Sequence, residues 1–292
     1  MFQGSLVAIV TPMQANGAVD FAAFERLIEF HINAATDGLV VAGTTGESAT
    51  LNKSEHVAVI EAAVNIVAGR IPVIAGTGSN STAQTIELSK TVDGLGVDAY
   101  LVVTPYYNKP PQEGLARHFS AVADAVNKPI MLYNVPGRTG VDLLPATVAG
   151  LAEHDNIFGI KEATGDVSRA GQLKDLCGPE FMLYSGDDPT AREFILAGGH
   201  GVVSVTSNVV PAAMAEMCRA ALAGDTAKAA ELDAPLSALH NDLFVESNPI
   251  PVKWALERMG LIEGGLRLPL VSMAPENHAL VEAALRKAGA ID

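Results

Sequence analysis

The chain has 292 residues, 49% of them hydrophobic, enough to bury a large core in one domain or two. A formal net charge of −14 repels phosphate backbones and anionic membrane surfaces, which argues against both as partners. The two cysteines, Cys177 and Cys218, belong to no CxxC or Cys/His-rich run, so they are expected to pack as small apolar groups in a reducing compartment.

The stretch from Met1 to Val10 is apolar but lacks a basic start, and Thr11-Pro12 cuts it short, unlike a signal peptide. No segment approaches the roughly 20 apolar residues of a membrane span, so a cytoplasmic location is expected. Short runs rich in Val, Ile and Leu predict eight strands: Leu6 to Val10, Gly38 to Ala42, Pro72 to Ala75, Ala99 to Val103, Pro129 to Leu132, Ile157 to Ile160, Phe181 to Tyr184 and Val202 to Val205. Each is too short for a typical helix and apolar on both faces, the pattern of parallel strands covered on each side.

Between the strands, apolar residues recur at spacings of three and four. In Phe21 to Ile32, the residues Phe21, Phe24, Leu27, Ile28 and His31 share one face. Start signals agree: Asp20 precedes that helix, Asn52 stands three before Glu55, Ser81 three before Gln84, and Asp188-Pro189 opens a later helix. Eight such units without a Pro/Gly/Ser-rich linker predict a (β/α)₈ TIM barrel over residues 1–224, although an open, doubly wound sheet needs only a reversal of strand order that sequence does not exclude. Helical patterns continue through Thr226 to Val245, Pro251 to Met259 and Pro275 to Ala288, a C-terminal helical extension over residues 225–292.

In a barrel of this kind the strand ends converge on one mouth, where chemistry sits. The residues expected there are Thr44 and Thr45 after the second strand, Tyr106 and Tyr107 after the fourth, Tyr133 and Arg138 after the fifth, Lys161 and Glu162 after the sixth, and Gly186 to Asp188 after the seventh. Lys161 ends an apolar run, where desolvation favours the neutral amine that a nucleophile needs; the bland alternative is a lysine that snorkels into solvent. Tyr133, on the neighbouring strand, carries a hydroxyl able to give and take the protons of imine formation, or packs as a half-buried ring. Gly43-Thr44-Thr45-Gly46-Glu47-Ser48 offers backbone N–H groups and hydroxyls to a carboxylate, or is an ordinary strand-helix turn.

The six residues from Gly43 to Ser48 with Glu55, the run Tyr133-Asn134-Val135-Pro136-Gly137-Arg138-Thr139, and the run Ile157-Phe158-Gly159-Ile160-Lys161-Glu162-Ala163 together resemble the dihydrodipicolinate synthase family. The similarity extends from Gly4-Ser5 to Asn248-Pro249. It implies a pyruvate-dependent aldolase that condenses pyruvate with L-aspartate 4-semialdehyde in lysine biosynthesis. By matched position, Lys161 forms the imine, Tyr133 relays protons, Thr44 links Tyr133 to Tyr107 in a hydroxyl chain, and Thr45 binds the pyruvate carboxylate. The tyrosine at position 107 is lent by a neighbouring subunit in that family, which implies a homotetramer built as a dimer of dimers. Arg138 matches the residue that holds the second substrate's carboxylate, as its planar fork suits; an arginine paired with a surface acid is the bland alternative. Gly186 and Val203 match pyruvate-pocket positions and are equally well read as turn and core.

Some members of the family bind lysine at the subunit junction. Ser48, Ala49, Lys53, His56, Gly78, Asn80, Gln84 and Tyr106 match that effector pocket, with two departures. Lys53 stands where sensitive members often have histidine, and Gln84 where they have glutamate. The loss of one anion facing a cationic effector should weaken binding by about 1–3 kcal/mol, so feedback by lysine is expected to be weak or absent.

The resemblance implies no organic cofactor, since the lysine amine supplies the electron sink. No metal is expected either: the seven histidines show neither HxH nor HExxH spacing. Gly76-Thr77-Gly78 and Gly198-Gly199-His200-Gly201 lack the context of phosphate loops and read as turns. Rival readings are N-acetylneuraminate lyase, a 2-keto-3-deoxy sugar acid aldolase, and a barrel that only senses a keto acid or lysine; Arg138 and the Tyr106-Tyr107 pair favour the synthase.

Overall fold

The computed structural model describes residues 2–292. Eight parallel strands, β1 (Gly4–Ala8), β2 (Gly38–Val41), β3 (Val73–Gly76), β4 (Ala99–Val103), β5 (Ile130–Asn134), β6 (Ile157–Glu162), β7 (Met182–Ser185) and β8 (Gly201–Ser204), pair in chain order, and β8 pairs back onto β1. Closure without any reversal of order makes this a (β/α)₈ barrel and removes the open-sheet alternative. Alternation along each strand separates two apolar layers. Leu6, Val40, Ile74, Leu101 and Met131 point into the barrel, whereas Val7, Leu39, Val41, Val73 and Leu132 meet the surrounding helices. The floor is aromatic: Phe158 meets Phe2 and Tyr184 edge-on, and the Tyr184 hydroxyl donates to the Phe2 carbonyl.

Most start signals act as caps. Asp20 accepts from the Ala23 N–H at the head of the helix Phe21–Asn33, and Asn52 and Glu55 form a reciprocal capping box. Two details differ from expectation. Phe21 is exposed, so the buried stripe of its helix begins at Phe24. Asp188 does not cap: it starts a single 3₁₀ turn, and its carboxylate accepts from the Val205 and Thr206 N–H groups at 2.8 and 2.9 Å, tying β7's exit to β8's.

Beyond the helix Pro211–Leu222, four further helices follow: Thr226–Asp233, Ser237–Asp242, Ile250–Arg258 and Pro275–Lys287. The pattern read as one helix from Thr226 to Val245 is broken in two, because Pro235 lacks an N–H and its ring clashes with a preceding turn of helix. Buried His240 joins this region to the barrel, with one ring nitrogen 2.9 Å from the Thr206 hydroxyl and the other 3.1 Å from Asp233. No helix among the described residues is long and apolar enough to cross a membrane.

Candidate active site

Lys161 and Glu162 lie inside β6 rather than after it, and Tyr133 lies inside β5, in register with Lys161. Which way Lys161 points depends on a bulge. Ile130 pairs with Ile157 and Met131 with Gly159, so Phe158 is an extra residue on β6. Phe158 faces the barrel interior and Ile160 the helices; without the extra residue, strict alternation from Phe158 would turn Ile160 inward and Lys161 outward. The bulge needs a glycine beside it, because a Cβ on Gly159 would stand 2.3 Å from the Met182 carbonyl oxygen.

So aimed, Lys161 is 6% exposed, and its Nζ sits 4.2 Å from the centre of the Tyr133 ring. The contact is with the face of the phenol, a cation–π geometry. Gly186 closes the other side: a Cβ there would be 2.8 Å from Lys161 Cε and 2.7 Å from Ala163 Cβ, so only glycine leaves the lysine chain its path. Val203 lies in the same inner apolar layer as Tyr133.

The residues that alternate with this pair point outward and hold it. Asn134 donates through Nδ2 to Asp142 at 2.7 Å and to both oxygens of Glu162 at 3.1 and 3.3 Å. Glu162 also accepts from the Thr164 N–H, and Arg169 pairs with Asp142. Burial pushes the Glu162 carboxyl above the usual range, against the opposing pull of these donors. The cross-strand bonds lock side by side the two backbones that carry Tyr133 and Lys161.

Thr44 and Thr45 occupy the turn after β2, Thr45 buried and Thr44 half-buried. No hydrogen bond joins Thr44, Tyr133 and Tyr107 among the described residues. Tyr107 is 90% exposed with φ +74°, a left-handed conformation unfavourable for a bulky residue, so within one chain its ring faces solvent. Arg138, on the short helix Pro136–Thr139, is exposed and donates to the Asn248 carbonyl at 3.2 Å.

Sequence reasoning missed the residues behind that turn. Asn248 Nδ2 donates to Thr45 Oγ1 at 3.0 Å. Lys253 is fully buried and its amine reaches Glu47 Oε1 at 2.5 Å and the Thr11 carbonyl at 3.1 Å. Burial pulls the Lys253 amine below its ordinary value, opposed by the Glu47 carboxylate. Arg267 adds a two-pronged pair with Glu55 at 2.7 and 2.8 Å, which together with the Asn52 backbone N–H lowers the Glu55 carboxyl to about 2. The available signal was Lys253 itself, a lone charge within Ile250-Pro251-Val252-Lys253-Trp254-Ala255-Leu256.

A cavity of about 590 Å³ opens beside the site, with Thr44, Val103, Val135 and Arg138 in its lining. Seven of the eight expected effector residues line it: Ser48, Ala49, Lys53, His56, Gly78, Gln84 and Tyr106. Asn80 is not among them; its carbonyl accepts from Asn108 instead. Lys53 pairs with Glu87, which also lines the space, and Gln84 accepts from Ser79. His56 donates to the Gly76 carbonyl at 2.7 Å, and burial lowers its pKa. Lys161 does not line this cavity. Tyr133 lines a smaller one of about 40 Å³ that shares Thr44, Ser48 and His56 with it, so the larger space leads toward the amine's partner.

A buried lysine on a barrel strand, faced by a phenol and flanked by a hydroxyl-bearing turn, is the geometry of an imine-forming enzyme, and comparison with known proteins bears on which one. The model of the dihydrodipicolinate synthetase family matches residues 1–288. The 4-hydroxy-tetrahydrodipicolinate synthase of Methylococcus capsulatus is 58% identical over 291 residues, covering 100% of both chains, and that of Shewanella sp. (strain ANA-3) is 57% identical over 289 residues, covering 99% of this chain and 98% of the other. The crystal structure of the chloride-inhibited dihydrodipicolinate synthase from Acinetobacter baumannii complexed with pyruvate superposes with a TM-score of 0.99 at 53% identity, covering 100% of each chain. The chain belongs to the dihydrodipicolinate synthetase family.

Proposed function

We propose that the chain is a lyase of the class I aldolase type, a 4-hydroxy-tetrahydrodipicolinate synthase that condenses pyruvate with L-aspartate 4-semialdehyde. The observation that carries this reading is Lys161 Nζ, buried within the barrel and 4.2 Å from the Tyr133 ring. The amine adds to the pyruvate carbonyl, and loss of water from the carbinolamine leaves an imine. Tyr133 serves as the proton relay for both steps. The imine then draws electrons from the methyl group, which gives up a proton to become an enamine. Its carbon attacks the aldehyde carbon of the second substrate. The second substrate's amine displaces Lys161 as the ring closes, and the enzyme is regenerated.

Thr45 and the turn around it hold the pyruvate carboxylate, with Gly186 and Val203 shaping the pocket, and Arg138 holds the carboxylate of the semialdehyde. Tyr107 acts on a neighbouring subunit's site through Thr44. Its exposure and its φ of +74° fit a side chain held out for a partner, and a homotetramer built as a dimer of dimers accommodates it. The location is cytoplasmic. Lysine feedback is weak, since Gln84 lacks the negative charge and Lys53 already engages Glu87 in the cavity.

Comparison of turnover tests the reading: condensation with aspartate semialdehyde is expected to exceed cleavage of N-acetylneuraminate or of a 2-keto-3-deoxy sugar acid. The reverse preference would reassign the substrate, and turnover of none of the three would favour a keto acid sensor. Strong inhibition at low micromolar lysine would overturn the feedback reading alone.

A further inference from the structure

We infer that Asn248 and Lys253, both on the C-terminal helical segment, are positioning residues that set the turn from Gly43 to Ser48 for the pyruvate carboxylate; this rests on the aldolase reading. A hydroxyl has one proton to give and two lone pairs to receive. Asn248 Nδ2 fills an acceptor position on Thr45 Oγ1 at 3.0 Å, which leaves the threonine proton free for an incoming carboxylate. The amide is not held there for its own satisfaction. Asn248 is 6% exposed, and its Oδ1 is buried without a partner, a cost the fold carries while keeping Nδ2 on Thr45.

Two residues along, Glu47 takes a left-handed conformation, φ +55°, that only glycine adopts freely. Its carboxylate is fixed on both oxygens, by Lys253 Nζ at 2.5 Å and by the Arg267 N–H at 3.2 Å. Thr11 ties the same turn from below, donating from Oγ1 to the Gly46 carbonyl at 2.8 Å while its own carbonyl accepts from Lys253. A buried ion pair is a poor source of net stability, since apolar or neutral replacements of similar volume often fold as well or better. What the pair supplies here is one fixed conformation of the turn.

The geometry separates the two carboxylate sites. Asn248 reaches Thr45 with its side chain and Arg138 with its backbone carbonyl. Truncation of the side chain removes the first contact and spares the second. In the full-length protein, Asn248→Ala is expected to raise the KM for pyruvate about five- to tenfold, the factor carried by one positioning hydrogen bond, and to change the KM for aspartate semialdehyde less than about twofold. Because Lys253→Met alone strands a buried carboxylate, the second variant is the neutral pair Glu47→Gln with Lys253→Met. It is expected to keep a cooperative thermal transition and to show the same selective rise.

Borohydride trapping at graded pyruvate concentrations separates this inference from the reading beneath it. If the wild-type chain is not trapped at any concentration, the aldolase reading fails. If the wild-type chain is trapped and both variants reach half-saturation at its pyruvate concentration, the positioning role alone is refuted. Equal rises in both KM values would also refute it, since that pattern marks general damage to the fold.

Discussion

A single methyl group tests how closely the amine's path is defined. Position 186 faces Lys161 Cε at a separation that admits no Cβ; the lysine chain it would strike is able to move, whereas Ala163 Cβ yields only by a small shift of its backbone. Gly186→Ala should therefore fold and displace Lys161 by a fraction of an ångström to an ångström. Misplacement of that order costs up to about 100-fold in rate. The expected result is a fall of at least about tenfold in the rate of imine trapping with pyruvate, with a cooperative unfolding transition retained; a trapping rate equal to wild type would show that the amine does not depend on that gap. Some residues at this scale were legible from the chain. The placing of Lys161, Tyr133 and the turn of Thr44 and Thr45 at strand ends follows from the apolar runs that they terminate. The cation–π contact was not legible, since residue type reports that a phenol and an amine are neighbours but not which part of the ring the amine meets.

At the scale of elements, the strands read well because covering on both faces leaves short runs of Val, Ile and Leu that no amphipathic helix shows. The orientation of Lys161 did not follow from alternation, because the bulge at Phe158 shifts the phase of β6 and such a shift leaves no periodic trace. Gly159 is its structural requirement. The Cβ of Gly159→Ala would meet a backbone oxygen of β7, which cannot rotate away, so the strands must part. A loss of about 1–3 kcal/mol in unfolding free energy is expected from urea denaturation, accompanied by loss of trapping. Full stability together with full trapping would mean that the strand pair tolerates the side chain and that the bulge does not set the lysine's aim.

Across the whole molecule, contacts between distant segments were the least legible. Asn248 and Lys253 meet residues 203 and 206 positions away, and helical periodicity reports only local neighbours. Buried histidines give the molecule a pH dependence that composition also conceals. Burial lowers His31 to about 3 and His118 to about 4, from an ordinary value of 6.5. Between those values and 6.5 the unfolded chain binds more protons than the folded one, so stability rises with pH through that window and is lost on acidification. At pH 5, His31 alone should cost about 2 kcal/mol relative to neutral pH. Urea midpoints at pH 7 and pH 5 check this: the wild type should fall, and His31→Gln should fall less. Parallel slopes for the two proteins would contradict the assignment to His31.

The account depends most on the identity of the nucleophile. Reduction with borohydride in the presence of pyruvate, followed by peptide mass mapping, reads it directly. One reduced pyruvate adduct on the peptide containing Lys161, absent from the Lys161→Met variant, is the predicted result. An adduct on Lys253 or any other lysine, or an unmodified chain at saturating pyruvate, would contradict it.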